Sequence, residues 1–227
     1  MPLEIHALDG TPQRVNSRNP SPSIFVPAIL RYGLRQGECR ISLPEQTRMH
    51  LVTHARLDQA NYTVTCELDR LGFYDRHVQA VETRLVLFGR AYGWHWYGST
   101  GEIEIPRVSL SRLSHLWNGG YTSLRDVLRH EFAHAIADTH RGLFRSDYFS
   151  EAFGAGHHWN FGWQYDPGHH VSEYAAVAPA EDFAETFMVY VRHGGVLPAR
   201  HASTPIRRKW KFIQRLSTAI SNGLRKW

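Results

Sequence analysis

The segment His130-Glu131-Phe132-Ala133-His134 constrains this chain more than any other feature. Histidines four apart lie on one face of a helix, because four residues span just over one turn, so both imidazoles can reach a single cation. Glu131 projects beside such a cation rather than onto it, where its carboxylate can take a proton from a bound water. The fold must therefore provide a helix here, and the flanking sequence agrees. Ser123 and Asp126 have the spacing of a capping box, and Leu124, Val127, Leu128 and Ala135 supply an apolar stripe. A helix is expected from about Ser123 to Thr139, with Gly142 beyond its end.

Two histidines do not complete a catalytic zinc site, which takes three protein ligands and a water. Two residues compete for the third place. Glu181 and Glu185, in Glu181-Asp182-Phe183-Ala184-Glu185, would share a helix face. One carboxylate can then bind the metal while the other orients an imidazole through its free N–H. His140 stands ten residues after His130, the third-ligand position of the extended His-Glu-x-x-His-x-x-Gly-x-x-His pattern. That pattern needs glycine where Ala137 stands, and alanine favours continuing the helix. Glu181 is the expected ligand; a metzincin-type site with His140 is the lesser alternative. Met188 and Tyr190 echo the Met-containing turn of that class, but their surroundings read as helix.

A chain of 227 residues, 42% hydrophobic and 12% aromatic, suits one globular domain and is too apolar for disorder. No apolar run approaches the ~18 residues of a membrane span, and the N-terminus has no basic segment leading into an apolar one. No membrane association and a cytoplasmic location are the expectations. Cys39 and Cys66 form no Cys-x-x-Cys pair, which excludes a disulfide scaffold and a cysteine-type zinc ribbon. Residues 1–23, with Pro2, Pro12, Pro20 and Pro22, read as a flexible N-terminal arm preceding a domain over 24–227.

Tyr62, Val64, Cys66 and Leu68 alternate as in a strand, whereas Val78, Val81, Leu85 and Phe88 have helical spacing, ended by Gly89 or Gly93. Trp94 to Tyr97 and Glu102 to Ile105 read as a hairpin across Gly98-Ser99-Thr100-Gly101, stopped by Pro106. Phe212, Leu216 and Ile220 predict a closing amphipathic helix. Strands before helices indicate an α+β domain.

The formal charge of +5 is unevenly placed. Residues 186–227 hold nine Arg or Lys and no acid, leaving 17 basic against 21 acidic residues before them. Such a tail suits an acidic or nucleic-acid partner, and equally a solvated helix face. The pairs His157-His158 and His169-His170 fall in a Gly- and Trp-rich loop, where cleft lining, a second metal and plain surface positions all stay open; Glu151 and Asp166 are no stronger as ligands.

The motif and its surroundings resemble the gluzincin-type zinc metallopeptidases, in particular the catalytic domain of anthrax lethal factor and bacterial single-domain zinc metallopeptidases. Ser172-Glu173-Tyr174-Ala175 precedes Pro179-Ala180-Glu181-Asp182-Phe183-Ala184-Glu185-Thr186-Phe187, with Tyr174 seven residues before Glu181 and Glu181 51 residues after His130. The likeness runs from about residue 120 to the C-terminus. It implies a zincin-like metallopeptidase domain with a small N-terminal sheet including an edge strand, an active-site helix and a helical C-terminal lobe. It implies one Zn2+ on His130, His134 and Glu181, Glu131 as general base and acid, Tyr174 as oxyanion donor and Glu185 holding His130. The activity implied is zinc-dependent hydrolysis of a protein or peptide substrate, with Gly101 to Pro106 either the edge strand against which substrate lies or a simple hairpin arm. A zinc-containing binding module, docking a partner through the basic tail, is the alternative from another class.

Overall fold

The structure, a computed structural model, describes residues 52–89, 93–97, 100–109 and 123–227. The arm 1–23, Cys39 and turn residues 98–99 lie outside the described residues.

Helix α1 (His54–Arg70) opens on Thr53, whose hydroxyl accepts from the Arg56 N–H. Its buried residues are Leu57, Ala60, Val64 and Leu68, spaced three and four apart, while Tyr62 and Cys66 are exposed. The strand expected over Tyr62 to Leu68 is thus a helix: Val64 and Leu68 belong to a 3.6-residue stripe, and the alternation with Tyr62 and Cys66 is incidental. The reverse holds just downstream. A one-turn helix α2 (Arg76–Gln79) gives way to strand β1 (Val81–Gly89), not to the helix expected through Val81, Leu85 and Phe88. Its faces alternate, with Glu82 and Arg84 exposed and Val81, Thr83 and Leu85 half-buried.

Strand β2 (Gly93–Tyr97) pairs antiparallel with β3 (Thr100–Ser109), as the hairpin reading requires. Strand β3 also pairs in parallel with β1, from Val81 opposite Gly101 to Gly89 opposite Ser109, giving the order β1-β3-β2. Two expectations are corrected by this register. Pro106 does not stop the strand: the β2 ladder ends at Gly93 opposite Glu104, two residues earlier, and β3 runs on against β1. The segment Gly101 to Pro106 is not an edge either, because it is the middle strand; among the described strands β2 is the outer one on its side. Ile103 and Ile105 turn into the core.

Helix α3 (Leu124–Thr139) carries the His-Glu-x-x-His segment and starts on the complete capping box of Ser123 and Asp126. Short helices α4 (Arg141–Phe144) and α5 (Asp147–Phe153) follow, then a long loop, a 3-10 turn (Tyr174–Ala176), α6 (Pro179–Arg192) and α7 (Thr204–Ser221). Phe132, Ile136, Phe149, Phe183, Phe187, Ile213 and Leu216 join α3, α5, α6 and α7 in one core. Helix and sheet together bear out the α+β class. Part of the basic tail is built into this body: Lys209 is buried against Asp182 of α6, Arg192 pairs with Asp126, and Arg225 reaches His77 and Asp75. Among the described residues no helix is long and apolar enough to cross a membrane.

Candidate active site

Helix α3 presents His130 and His134 one turn apart, ring centroids 4.9 Å from each other and Nε2 atoms 3.2 Å apart. Helix α6 faces them. It begins at Pro179, which fits the first helical position because its missing N–H has no acceptor to lose there. Glu181 falls in that first turn, where the helix dipole favours a carboxylate. Its Oε2 lies 3.2 Å from His130 Nε2 and 3.5 Å from His134 Nε2. One turn later Glu185 Oε1 stands 2.8 Å from His130 Nδ1. That contact places the His130 proton on Nδ1 and turns the Nε2 lone pair toward Glu181 and His134.

The remaining groups gather around this nucleus. Ser172 donates its hydroxyl to Glu185 Oε2 at 2.7 Å and accepts the Ala175 N–H at 3.2 Å, so one side chain fixes both the second glutamate and the turn bearing Tyr174. The turn is clamped from the loop: Trp163 N–H donates to Ala176 O at 2.8 Å, and a Cβ on Gly162 would sit 1.8 Å from the same oxygen. Only glycine permits that approach. The Tyr174 ring lies 5.9 Å from the His130 ring, and 52% of the residue stays exposed. Glu131 is buried and lines a cleft of about 280 Å³ with His130, His134, Tyr174 and Glu181. Gly93, Trp94, Asp138 and His157 complete the wall.

The charges respond to one another. Burial alone would lower the His130 pKa, but the Glu181 and Glu185 carboxylates outweigh it and raise it to about 10. Burial would raise Glu181 and Glu185; their imidazole contacts, with Ser172 for Glu185, hold both below the usual carboxylate range instead. Burial, then Glu181, Glu131 and Glu185, push the Tyr174 phenol up, so it remains a neutral donor at physiological pH. His157 is lowered to about 4, mainly by burial and then by His134, so it is a neutral imidazole packed on Phe144 and Phe149.

A cation fits this arrangement. Glu181 Oε2 is buried and has no hydrogen-bond donor, although two imidazole nitrogens face it. Two imidazole nitrogens and a carboxylate oxygen so placed need a positive charge among them: a proton, which His130 holds with its raised pKa, or a metal ion in its place. Ligand bonds of ~2.0–2.2 Å at tetrahedral angles put donor atoms ~3.3–3.6 Å apart, close to the 3.2, 3.2 and 3.5 Å found here.

The other histidines go elsewhere. His140 caps α3, with Nε2 3.2 Å from Asp75 Oδ2, and takes no part in the His130–His134–Glu181 group. Helix α3 continues through Ala137, and six residues past His134 the rotation of 600° carries His140 to another face. Exposed His169 pairs with Asp166 at 2.7 Å, and buried His170 accepts the Asp166 N–H. His158 and Glu151 are exposed. Sequence reasoning gave no role to Ser172, Asp138 or Trp94. Asp138 is four residues past His134, a helical spacing that marks it; Ser172 and Trp94 have no local signal.

No protein-family model matches the chain, and no curated protein does. Among solved structures, a protein from Bacteroides caccae ATCC 43185 described as a "putative zinc-binding metallo-peptidase" is 18% identical, over 80% of this chain and 84% of that one, with a TM-score of 0.39.

Proposed function

We propose that this protein is a zinc-dependent endopeptidase. The observation that carries the proposal is the convergence of His130, His134 and Glu181 at tetrahedral-zinc separations, with a fourth residue, the non-ligating carboxylate Glu131, buried in the same cleft. A purely structural site closes all four positions with protein ligands and needs no base. The resemblance of the Tyr174 to Phe187 stretch to the lethal factor domain supports the same reading.

Zinc, when bound, would lower its water's pKa to ~7 and polarise the scissile carbonyl. The chain's own groups supply the rest. Glu131 takes the proton of the attacking water and returns it to the departing amine. Tyr174, kept neutral, donates its phenolic hydrogen to the carbonyl oxygen as that oxygen gains charge. Glu185, held by Ser172, keeps His130 in the tautomer that offers Nε2. Strand β2, whose Gly93 and Trp94 border the cleft, takes the edge-strand role and pairs with the substrate main chain.

The test is metal analysis and casein hydrolysis on the wild type and three variants. The wild type should hold about one zinc per chain and cleave. Glu131→Gln should keep the zinc and lose ~10²–10⁴-fold in turnover, the range of a positioned acid–base group. Glu181→Ala should lose the metal and His140→Ala should retain it. A wild type free of zinc, or Glu131→Gln cleaving at the wild-type rate, refutes the proposal.

A further inference from the structure

Behind Trp94 lies a second chamber of about 220 Å³, lined by Arg76, His77, Ala80, Val81, Gly101 and Thr139, with the indole as its remaining wall. Trp94 also lines the cleft that holds His130, His134 and Glu181. The two spaces therefore share one ring. That ring is fixed: its Nε1–H donates to Asp138 Oδ2 at 2.7 Å, and its far edge lies on Gly101, where a Cβ would come within 1.7 Å of it.

Arg76 is the charged residue among the chamber's described lining. Arg76 donates its Nε–H to His77 Nε2 at 3.1 Å, and the Arg225 guanidinium reaches the same nitrogen. Two guanidiniums thus converge on one imidazole, whose own proton must then sit on Nδ1. No carboxylate lines the chamber among the described residues. Two neighbouring acids have partners of their own: Asp75 accepts the N–H groups of His77 at 3.0 Å and Val78 at 3.1 Å, meets His140 and pairs with Arg225 at 3.8 Å, while Asp138 is held by Trp94 and by Arg141 at 3.3 Å. Thr139 donates its hydroxyl to Ala135 O at 2.7 Å, so it adds no donor to the chamber. Ala80, Val81 and the indole leave an apolar surface for methylene groups.

We propose that this chamber is a specificity subsite that takes an acidic side chain of the polypeptide substrate, its carboxylate meeting Arg76 and His77 and its methylenes lying on Trp94. The inference rests on the peptidase reading and names the class of residue that reading leaves open. An apolar wall with a few convergent donors is the usual make-up of a selective pocket, and a planar guanidinium suits a carboxylate. The shared indole places the pocket beside the scissile bond rather than at a distant exosite.

The deciding experiment compares kcat/KM for peptides that carry Glu, Gln or Lys at each position around a mapped cleavage site. At one position the order should be Glu, then Gln, then Lys, with about tenfold between the extremes. Arg76→Glu should invert that order there and nowhere else. No acidic preference at any position, or a preference unaltered by Arg76→Glu, overturns the subsite. If the wild type cuts no peptide, the peptidase reading fails and a binding measurement decides the pocket. Glutarate should then shift the Trp94 indole N–H resonance in the zinc-loaded protein, glutaramide should not, and Arg76→Glu should abolish the shift. An unmoved Trp94 resonance in that case ends the proposal.

Discussion

Tyr174 is half exposed, yet Glu131, Glu181 and Glu185 all act on its phenol. A core tyrosine would be enclosed; this one opens onto the cleft beside His130. Tyr174→Phe should therefore lower kcat ~10²–10³-fold, the usual cost of losing an oxyanion donor, with KM little changed, as steady-state kinetics will read. Unchanged kcat would remove the phenol from the chemistry. Glu185 acts at one remove. Glu185→Ala should weaken zinc ~10–100-fold in a chelator competition, because His130 then loses the partner that fixes its tautomer. At this scale the sequence was readable where spacing carries the geometry. Residues four apart on a helix share a face, which brings His130 to His134 and Glu181 to Glu185. The approach of α6 to α3 is tertiary: donor chemistry marks Glu181 as a candidate third ligand, but its 51-residue separation from His130 encodes no contact. Ser172 and Trp94 acquire their places through partners 13 and 44 residues away, and no local pattern encodes such contacts.

Among elements, the two misread segments show why periodicity fails for short runs. Val64 and Leu68 fit a two-residue and a four-residue repeat alike, and Leu57 and Ala60 decide for the helix. Strand β1 owes its state to parallel pairing with β3, a non-local contact that outweighs the spacing of Val81, Leu85 and Phe88. The start of α3 was legible because its cap is local, and that end also carries an ion network that was not. Arg129, buried, grips Glu67 of α1 through two nitrogens at 2.8 and 2.7 Å and Asp126 at 2.5 Å, while Arg192 of α6 closes on the same aspartate. Burial alone would raise the Asp126 pKa, but Arg192, Ser123 and Arg129 prevail and lower it. A depressed carboxyl stabilises the fold above its unfolded value, ~3.9, and that contribution is lost as pH falls through the folded value. Urea midpoints should accordingly drop on the acid side of pH ~4, and Asp126→Asn should flatten that decline. It should also cost about 3 kcal/mol at pH 7, since the guanidiniums lose their shared partner in a mostly buried setting. A variant with the wild-type acid limb would show that Asp126 is not the group responsible.

At the level of the whole molecule, the question is what holds α3 against α6. Apolar packing does most of it, through Phe132, Ile136, Phe183 and Phe187. Helix α6 is held in turn by the Lys209–Asp182 pair, whose ammonium also donates to His169 O at 2.5 Å and so ties α7, α6 and the loop together. That pair also shows where part of the C-terminal charge goes: Lys209, Arg192 and Arg225 are engaged within the fold, and Trp210, Phe212 and Leu216 are core. Between α3 and α6 at the site itself, however, three lone-pair donors face one another, and only a proton or a metal reconciles them. A bound cation is then part of the tertiary structure, because an unfolded chain cannot keep donors 51 positions apart together. At a thousandfold excess over Kd, a ligand specific to the folded state adds about 4 kcal/mol, roughly 10 °C in melting temperature for a domain of this size. Chelator should lower the melting temperature by that order and zinc should restore it. Glu181→Ala should melt at one temperature with or without zinc, since two imidazoles alone hold the ion weakly, whereas His140→Ala should keep the full zinc-dependent rise. A rise that survives Glu181→Ala and vanishes in His140→Ala would move the ion to the other end of α3 and overturn the site.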